Sequence, residues 1–481
     1  MTELHRLTRR TPAHRAGIVH LGPGAFFKAF NASYTDDLLR AQGGDWGIVA
    51  VSLQSDRAAR ELAPQGGVFT SVTLGPDGET PQVIGSISEV MVARENPQAV
   101  LEVMADPQIK IVSLTITEKG YCRHPATGAL DFDKSDIQAD LAHPEQPVTA
   151  VGIIVAALAR RRAARLRPFT VLSCDNLPDN GATARRVVVD FAKAIDPDLA
   201  GWIEAEGRFP ATMVDRITPA TTSDDIVRTA KLTGYDDPAC VLHEPFRQWV
   251  IEDDFVEGRP DWDRVGAQFV ESVEAHELMK LRCLNGTHSA LAYLGYLAGH
   301  ETISETVADP VFAQFCQTLW LQEILPTVPQ PEGEDLACYT ASLFERYQNP
   351  AIRHLTWQIA MDGSQKLPQR ILGTIADRLA QGQVAAGLCL TVAAWMRYVG
   401  GKDEQGAVID VRDPLADRLK AASDAGKTAQ QKVAALLDVW DVFSPALVTD
   451  QRFVDAVSQA YEALQDIGAR AAVAACNETS G

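Results

Sequence analysis

Nowhere in the chain does an uninterrupted apolar stretch reach the ~18 residues needed to cross a bilayer, so no spanning helix is predicted. The segment before Gly17 carries arginine and histidine where a secretory leader would carry an apolar core, and a cytoplasmic protein is expected. The eight cysteines, at positions 122, 174, 240, 283, 316, 338, 389 and 476, form no Cys-x-x-Cys pair and no Cys/His cluster at zinc-finger spacing. Reduced structural thiols and no metal are the expectation. Positive charge is also short, with 44 Lys and Arg against 63 Asp and Glu and a net charge of -19. A field of that sign repels nucleic acid and anionic lipid, which are held mainly through Lys and Arg, so neither is an expected partner. An anionic small molecule stays open, because a few cations converging in a cleft outweigh a diffuse surface field. No internal repeat is visible.

What is present describes a globular α/β protein, 46% hydrophobic and 22% charged. At 481 residues the chain exceeds what one core organises, so two domains are expected. Apolar runs at 17–21, 46–53, 83–87 and 109–117 alternate with helical patterns, and a further run at 169–173 ends in a polar turn. This is the rhythm of a mainly parallel sheet covered on both faces. Two more apolar segments, 211–214 and 240–242, precede a helical pattern starting near Val273. Beyond residue 280 apolar residues recur at helical spacing, as in 384–398 and 432–440. The prediction is an N-terminal Rossmann-type domain over 1–276 and a mainly α-helical domain over 277–481, with the active site in a cleft between them.

The first strand is followed by Gly22-Pro23-Gly24-Ala25-Phe26-Phe27, a Gly-x-Gly turn leading into a helix. Glycine there lets backbone approach a pyrophosphate, and the helix start supplies unpaired N–H donors. The third glycine of the usual fingerprint is absent, with Phe27 in its place. After the second strand Asp56 has two roles open to it. It can bond ribose hydroxyls and so favour NAD over NADP, or it can cap the next helix; Arg57 beside it would act in the opposite sense.

The segment from Glu277 to His288 carries the chemistry. At about 100° per helical residue, Glu277, His288 and Asn285 fall roughly 60°, 80° and 140° from Lys280, on a face shared with Leu281 and Leu284. A surface helix would segregate these polar and apolar groups. Burying an ammonium lowers its pKa, which is how a lysine becomes a proton acceptor near neutral pH, so Lys280 is the candidate general base. The bland alternative is a lysine whose stem lies on the core while its head reaches water, with His288 a core histidine.

The pattern Lys280-x-x-x-x-Asn285-x-x-His288 resembles the signature of the polyol-specific long-chain dehydrogenases, the family of mannitol 2-dehydrogenase and fructuronate reductase. Ser173-Cys174-Asp175-Asn176, the block from Met213 to Pro219 and the Gly22-x-Gly24 turn match as well, so the resemblance runs over nearly the whole chain. It implies metal-independent hydride transfer with NAD, Lys280 as acid/base, and Asn176 and Asn285 stabilising alkoxide character. His288, Asp215 and Glu277 would contact the substrate, and Gly22, Gly24, Ala25, Phe26, Asp56, Thr117 and Glu118 the cofactor. Mannitol-type members read Thr-Glu-Gly-Gly-Tyr where this chain has Thr117-Glu118-Lys119-Gly120-Tyr121, and hexuronate reductases carry the lysine. The blocks containing Arg247 and, later, Lys366 and Arg370 also resemble fructuronate reductase.

With Lys119, these cations suit the carboxylate that distinguishes mannonate from mannitol. Interconversion of D-mannonate and D-fructuronate is therefore the expected reaction, with a polyol dehydrogenase as the alternative; a non-catalytic NAD-binding regulator is a third class, disfavoured by the intact Lys280, Asn176 and Asn285. Many members read Phe-His-Arg-Ala-His-Gln after the glycines. This chain reads Phe26-Phe27-Lys28-Ala29-Phe30-Asn31, which leaves another aldonate or a polyol open as substrate. Oligomeric state is not encoded legibly; a monomer or small homo-oligomer is expected.

Overall fold

A computed structural model describes residues 4–124 and 127–479. The chain divides into two compact units between Glu274 and Ala275. The first unit contains β1 (Ala16–Leu21), β2 (Gly47–Ser52), β3 (Phe69–Gly75), β4 (Gly78–Ile84), β5 (Ile87–Val92), β6 (Ile111–Leu114), β7 (Thr170–Ser173), β8 (Thr212–Asp215), β9 (Val241–His243), β10 (Gln248–Glu252) and β11 (Gln268–Val270). Five of these form a wholly parallel sheet in the order β5-β2-β1-β6-β7.

Side chains alternate across that sheet and both faces are covered. Val19, Leu21, Val49, Val51, Val112 and Leu114 pack with the helices Pro97–Ala105, Ala150–Ala163 and Asn180–Ile195. Ile18, Ile48, Ala50, Ile111 and Leu172 face the other way, against Phe27, Phe30, Trp249 and Trp262. Double burial is why these strands read as unbroken apolar runs. The strand order reverses about β1, between β2 and β6, so the loops leaving the carboxyl ends of β1 and β6 border the crevice where such sheets take ligands.

The run at 83–87, expected as one strand, is divided: its start closes β4 and its end opens β5. β3 and β4 form an antiparallel hairpin across Pro76-Asp77, and β9 joins β3 in parallel. β8, β10 and β11 make a third small sheet.

The second unit is helical, and its described residues contain only isolated β-bridges, Thr302 with Leu355 and Lys402 with Val408. The helix Ala386–Val399 is buried along most of its length. Three segments are wound as π-helix: Lys280–Gly286, Leu319–Ile324 and Pro368–Leu372. The first packs against the other two. This corrects the 100° projection, since a π turn bonds i to i+5 and brings Lys280 and Asn285 to a smaller angular separation than an α-helix would.

Neighbouring side chains enter the widened turn. Trp320 Nε1 donates to Cys283 O at 2.9 Å, and Tyr347 Oη donates to Leu284 O at 2.8 Å. None of the eight cysteines is joined in a disulfide, and Cys338 is exposed. Among the described residues no helix is long and apolar enough to cross a membrane.

Candidate active site

In the sheet unit the site is built on the loops that follow β1, β6 and β7. Gly22 adopts φ +94°, and a Cβ there would stand 2.4 Å from Thr115 O, so only glycine fits. At Gly24 a Cβ would meet nothing nearer than Gly22 O at 3.9 Å, and the residue is exposed. The turn therefore presents open backbone just before the helix Ala25–Ala29, as a pyrophosphate cradle requires. Thr115 Oγ1 donates to Gly22 O at 2.7 Å and contacts His20 Nε2 at 2.9 Å, while His20 Nδ1 meets Ser113 Oγ at 2.8 Å. Burial drives the His20 imidazole down to about 3, so this network beneath the glycine turn is neutral. Phe26 is half-buried and stacks on Phe30.

After β6, Thr117 sits at φ +63°, rare for a β-branched residue. Asp175 holds it there: Oδ1 accepts from Thr117 N–H at 2.8 Å and Oδ2 from Ile116 N–H at 3.0 Å. Tyr121 Oη also donates to Asp175 Oδ2 at 2.7 Å and lies 2.5 Å from Ser173 Oγ. Buried Asn180 donates to Asp175 O and exchanges bonds with the Thr212 backbone, tying the turn to β8. Burial raises the Asp175 carboxyl, and the bonds from Tyr121 and the two amides oppose the shift. Asn176 follows directly and is exposed, as are Thr117, Glu118 and Lys119. Glu118 pairs with Arg123 at 2.6 Å. Asp215 is buried at the end of β8.

Two other expectations look different in place. Asp56 precedes the helix Arg57–Leu62 without a side-chain cap bond, and its carboxylate lies 3.3 Å from Arg60. Arg247 is already engaged: it pairs with Asp37 at 2.7 Å, donates to Val265 O at 3.1 Å and stacks over Tyr34. Phe27 and Phe30, which replace the histidines of many relatives, are 0% exposed. Phe27 stacks on His20, and Phe30 packs with Phe26, Tyr34 and Trp249. In this chain both rings belong to the core of the sheet unit.

The helical unit supplies a second group of residues. Lys280, 8% exposed, opens the first π segment, and Glu277 and Asn285 are half-buried before and within it. His288, 9% exposed, has its ring stacked on Tyr347 at 5.3 Å and its Nε2 3.2 Å from His354 Nδ1. Arg370 donates to Ser289 Oγ at 3.2 Å. Lys366 Nζ donates to Met361 O at 2.5 Å and Ile359 O at 3.3 Å. Neither cation forms a salt bridge among the described residues, although both are half-buried. Burial, and then Arg370, brings the Lys366 ammonium down to about 8. Among the described residues no group of three His, Cys, Asp or Glu side chains is placed to hold a metal ion.

No spacing in the sequence assigns Asp175, Tyr121, Asn180, His20 or His354 to the site. Asp175 stood inside a quoted motif; His354 stood in none.

The Rossmann-domain model of mannitol dehydrogenase matches residues 16–264, and the model of the mannitol dehydrogenase C-terminal domain matches 272–465. The chain belongs to the mannitol dehydrogenase family. It is accordingly an oxidoreductase acting on secondary alcohols. Two Escherichia coli K12 proteins are each 48% identical to it over 95% of this chain, an uncharacterized oxidoreductase, YeiQ, and D-mannonate oxidoreductase, with 93% and 95% of their own lengths covered. The solved ternary complex of Pseudomonas fluorescens mannitol 2-dehydrogenase with NAD and D-mannitol is 40% identical, with a TM-score of 0.83 over 97% of this chain and 95% of that one. Equal likeness to the two E. coli proteins means that identity alone does not select a substrate within the mannitol dehydrogenase family.

Proposed function

We propose that this protein is an NAD-dependent oxidoreductase that interconverts D-mannonate and D-fructuronate. NAD, when bound, would supply the hydride acceptor for oxidation and, as NADH, the donor for reduction. In the oxidation direction Lys280, as the neutral amine, takes the proton of the reacting hydroxyl, and Asn176 and Asn285 donate to the oxygen as charge develops on it. His288, Asp215 and Glu277 orient the remaining hydroxyls. No metal is assigned to the step, because one base, one hydride acceptor and donors to the oxyanion suffice.

Gly22, Gly24, Ala25 and Phe26 would hold the pyrophosphate, in keeping with the open backbone at Gly24. Thr117 and Glu118 would border the nicotinamide side, and Asp56 would face the ribose, favouring NAD. A related enzyme solved with NAD supports that choice of cofactor.

The substrate class rests on one observation: Arg370 and Lys366 are half-buried near His288 and, among the described residues, neither forms a salt bridge, although Asp362 and Asp413 bear on Lys366 from farther away. Buried charges are ordinarily paired, and a sugar carboxylate would complete the pair. Lys119, exposed after β6, would add a cation from the sheet unit; Arg247, held by Asp37, is the weakest of the four expected contacts. One of the relatives is named for D-mannonate.

The competing reading is oxidation of a neutral polyol to a ketose, favoured by D-mannitol in the complex of the related enzyme. Following NADH absorbance with fructuronate, fructose and tagaturonate separates the two. Fructuronate is expected to have the highest kcat/KM, and a higher value for fructose would overturn the acid reading.

A further inference from the structure

His354 lies in the bend between the helices Leu336–Gln348 and Thr356–Ile359, outside any motif. Its backbone is pinned on both sides, the N–H donating to Ile352 O and the carbonyl accepting from Ile303 N–H, each at 2.9 Å. Its Nδ1 stands 3.2 Å from His288 Nε2. Tyr347 covers the face of the same His288 ring, fixed in turn by its own bonds to Leu284 O and Thr287 Oγ1, both at 2.8 Å. His288 is thus held by a wall on its face and a partner on its edge, while its Nδ1 makes no hydrogen bond to a described residue.

Two imidazole nitrogens form a hydrogen bond only when one carries a proton and the other a lone pair. If both facing nitrogens carried protons, two N–H donors would face each other with no acceptor between them, and full protonation of both rings would make those donors cationic. The surroundings oppose a charged pair: each ring is buried, His354, Arg370, Arg346 and Lys366 bear on His288, and Arg346 bears on His354. Burial and these cations keep His288 well below the ordinary histidine range and bring His354 to about 4. One proton therefore sits between the rings, and the choice of ring decides whether His288 Nδ1 is a donor or an acceptor.

We propose that His354 is a positioning residue of the substrate site, holding His288 in one neutral tautomer so that its free Nδ1 meets a sugar hydroxyl with a fixed sense of hydrogen bonding. This rests on the reading of His288 as a substrate-orienting group. The test combines a spectrum with kinetics on the full chain. In 15N-histidine-labelled wild type at neutral pH, His288, assigned by its loss in His288→Asn, is expected to show a single neutral tautomer. His354→Leu should convert it to an interconverting mixture and raise KM about tenfold for whichever sugar the enzyme turns over, with NADH affinity unchanged. His354→Asn, which can still donate or accept at that edge, should recover most of the loss. A single tautomer persisting in His354→Leu, or an unchanged KM, would overturn the proposal. Should the leucine variant fail to fold, the wild-type spectrum decides alone, since mixed tautomers or a charged His288 contradict it. Lack of activity on every sugar would count against the functional reading but leave the spectrum able to decide the tautomer.

Discussion

At the scale of single residues the proposal turns on two lysines, Lys280 and Lys366. Lys280→Ala is expected to lower turnover by about 10² to 10⁴, the usual worth of a positioned acid/base group. NADH affinity should stay near wild type, because the cofactor contacts assigned above all lie in the sheet unit. Near-normal turnover in this variant would make Lys280 a structural residue.

Lys366 should betray itself through pH. Burial lowers its ammonium to about 8, so in the free enzyme it is charged below that value and neutral above it. A bound carboxylate favours the charged form and raises the value in the complex. Affinity for the sugar acid is therefore fully present below about 8 and falls as pH rises beyond it. Calorimetry with D-mannonate should show Kd weakening roughly tenfold in that direction, consistent with a charge-assisted bond of about 1.5 to 3 kcal/mol. Lys366→Gln should bind weakly and flatly across the range. A Kd equally flat in wild type would remove Lys366 from the carboxylate.

At the scale of elements, legibility followed burial. Four strands of the parallel sheet, β1, β2, β6 and β7, are buried along almost their whole length and stand out as apolar runs, whereas the run expected at 83–87 meets only the first residue of β5, an edge strand whose middle is partly exposed. The hairpin does not stand out, because β4 is solvent-facing along most of its length, and the Pro76-Asp77-Gly78 turn was its only clear signal. Spacing brings Lys280, Asn285 and His288 together as candidates and the family resemblance gives them roles, yet the π winding that relates them lies outside any 3.6-residue periodicity. His354 reached the site through a bend that no pattern marks.

The π segment also depends on side chains from outside it. Tyr347 Oη bonds Leu284 O and Thr287 Oγ1, so Tyr347→Phe leaves a buried carbonyl short of a donor and removes the wall's anchor beside His288. A stability loss of about 0.5 to 1.5 kcal/mol is expected by denaturant unfolding, the usual net value of one hydrogen bond. Turnover should fall further than that loss explains, because Lys280 opens the same turn. A variant that loses stability but keeps kcat would show that the turn holds its geometry without Tyr347.

At the scale of the whole molecule, a net charge of -19 opposes the sugar acid that the buried cations are proposed to attract. The two effects differ in range. Surface charges act through water and are screened over about 30 Å at 0.01 M salt but only about 10 Å at 0.1 M. Arg370 and Lys366, half-buried, would act at contact distance and be screened less. Raising salt across that interval should therefore weaken the repulsion more than the attraction. With NADH saturating, kcat/KM for fructuronate is expected to rise roughly two- to threefold, while that for fructose, which has no charge to repel, stays level. Salt can also act on the protein itself, and the neutral sugar controls for that, so the informative quantity is the ratio of the two efficiencies. If the ratio falls with salt, the positive potential of the cation cluster extends beyond its cleft and governs the approach of the acid, and the acidic surface does not set the encounter. If it does not move in wild type, and Arg370→Gln leaves both efficiencies unchanged, the buried cations have another counter-ion and the polyol reading gains.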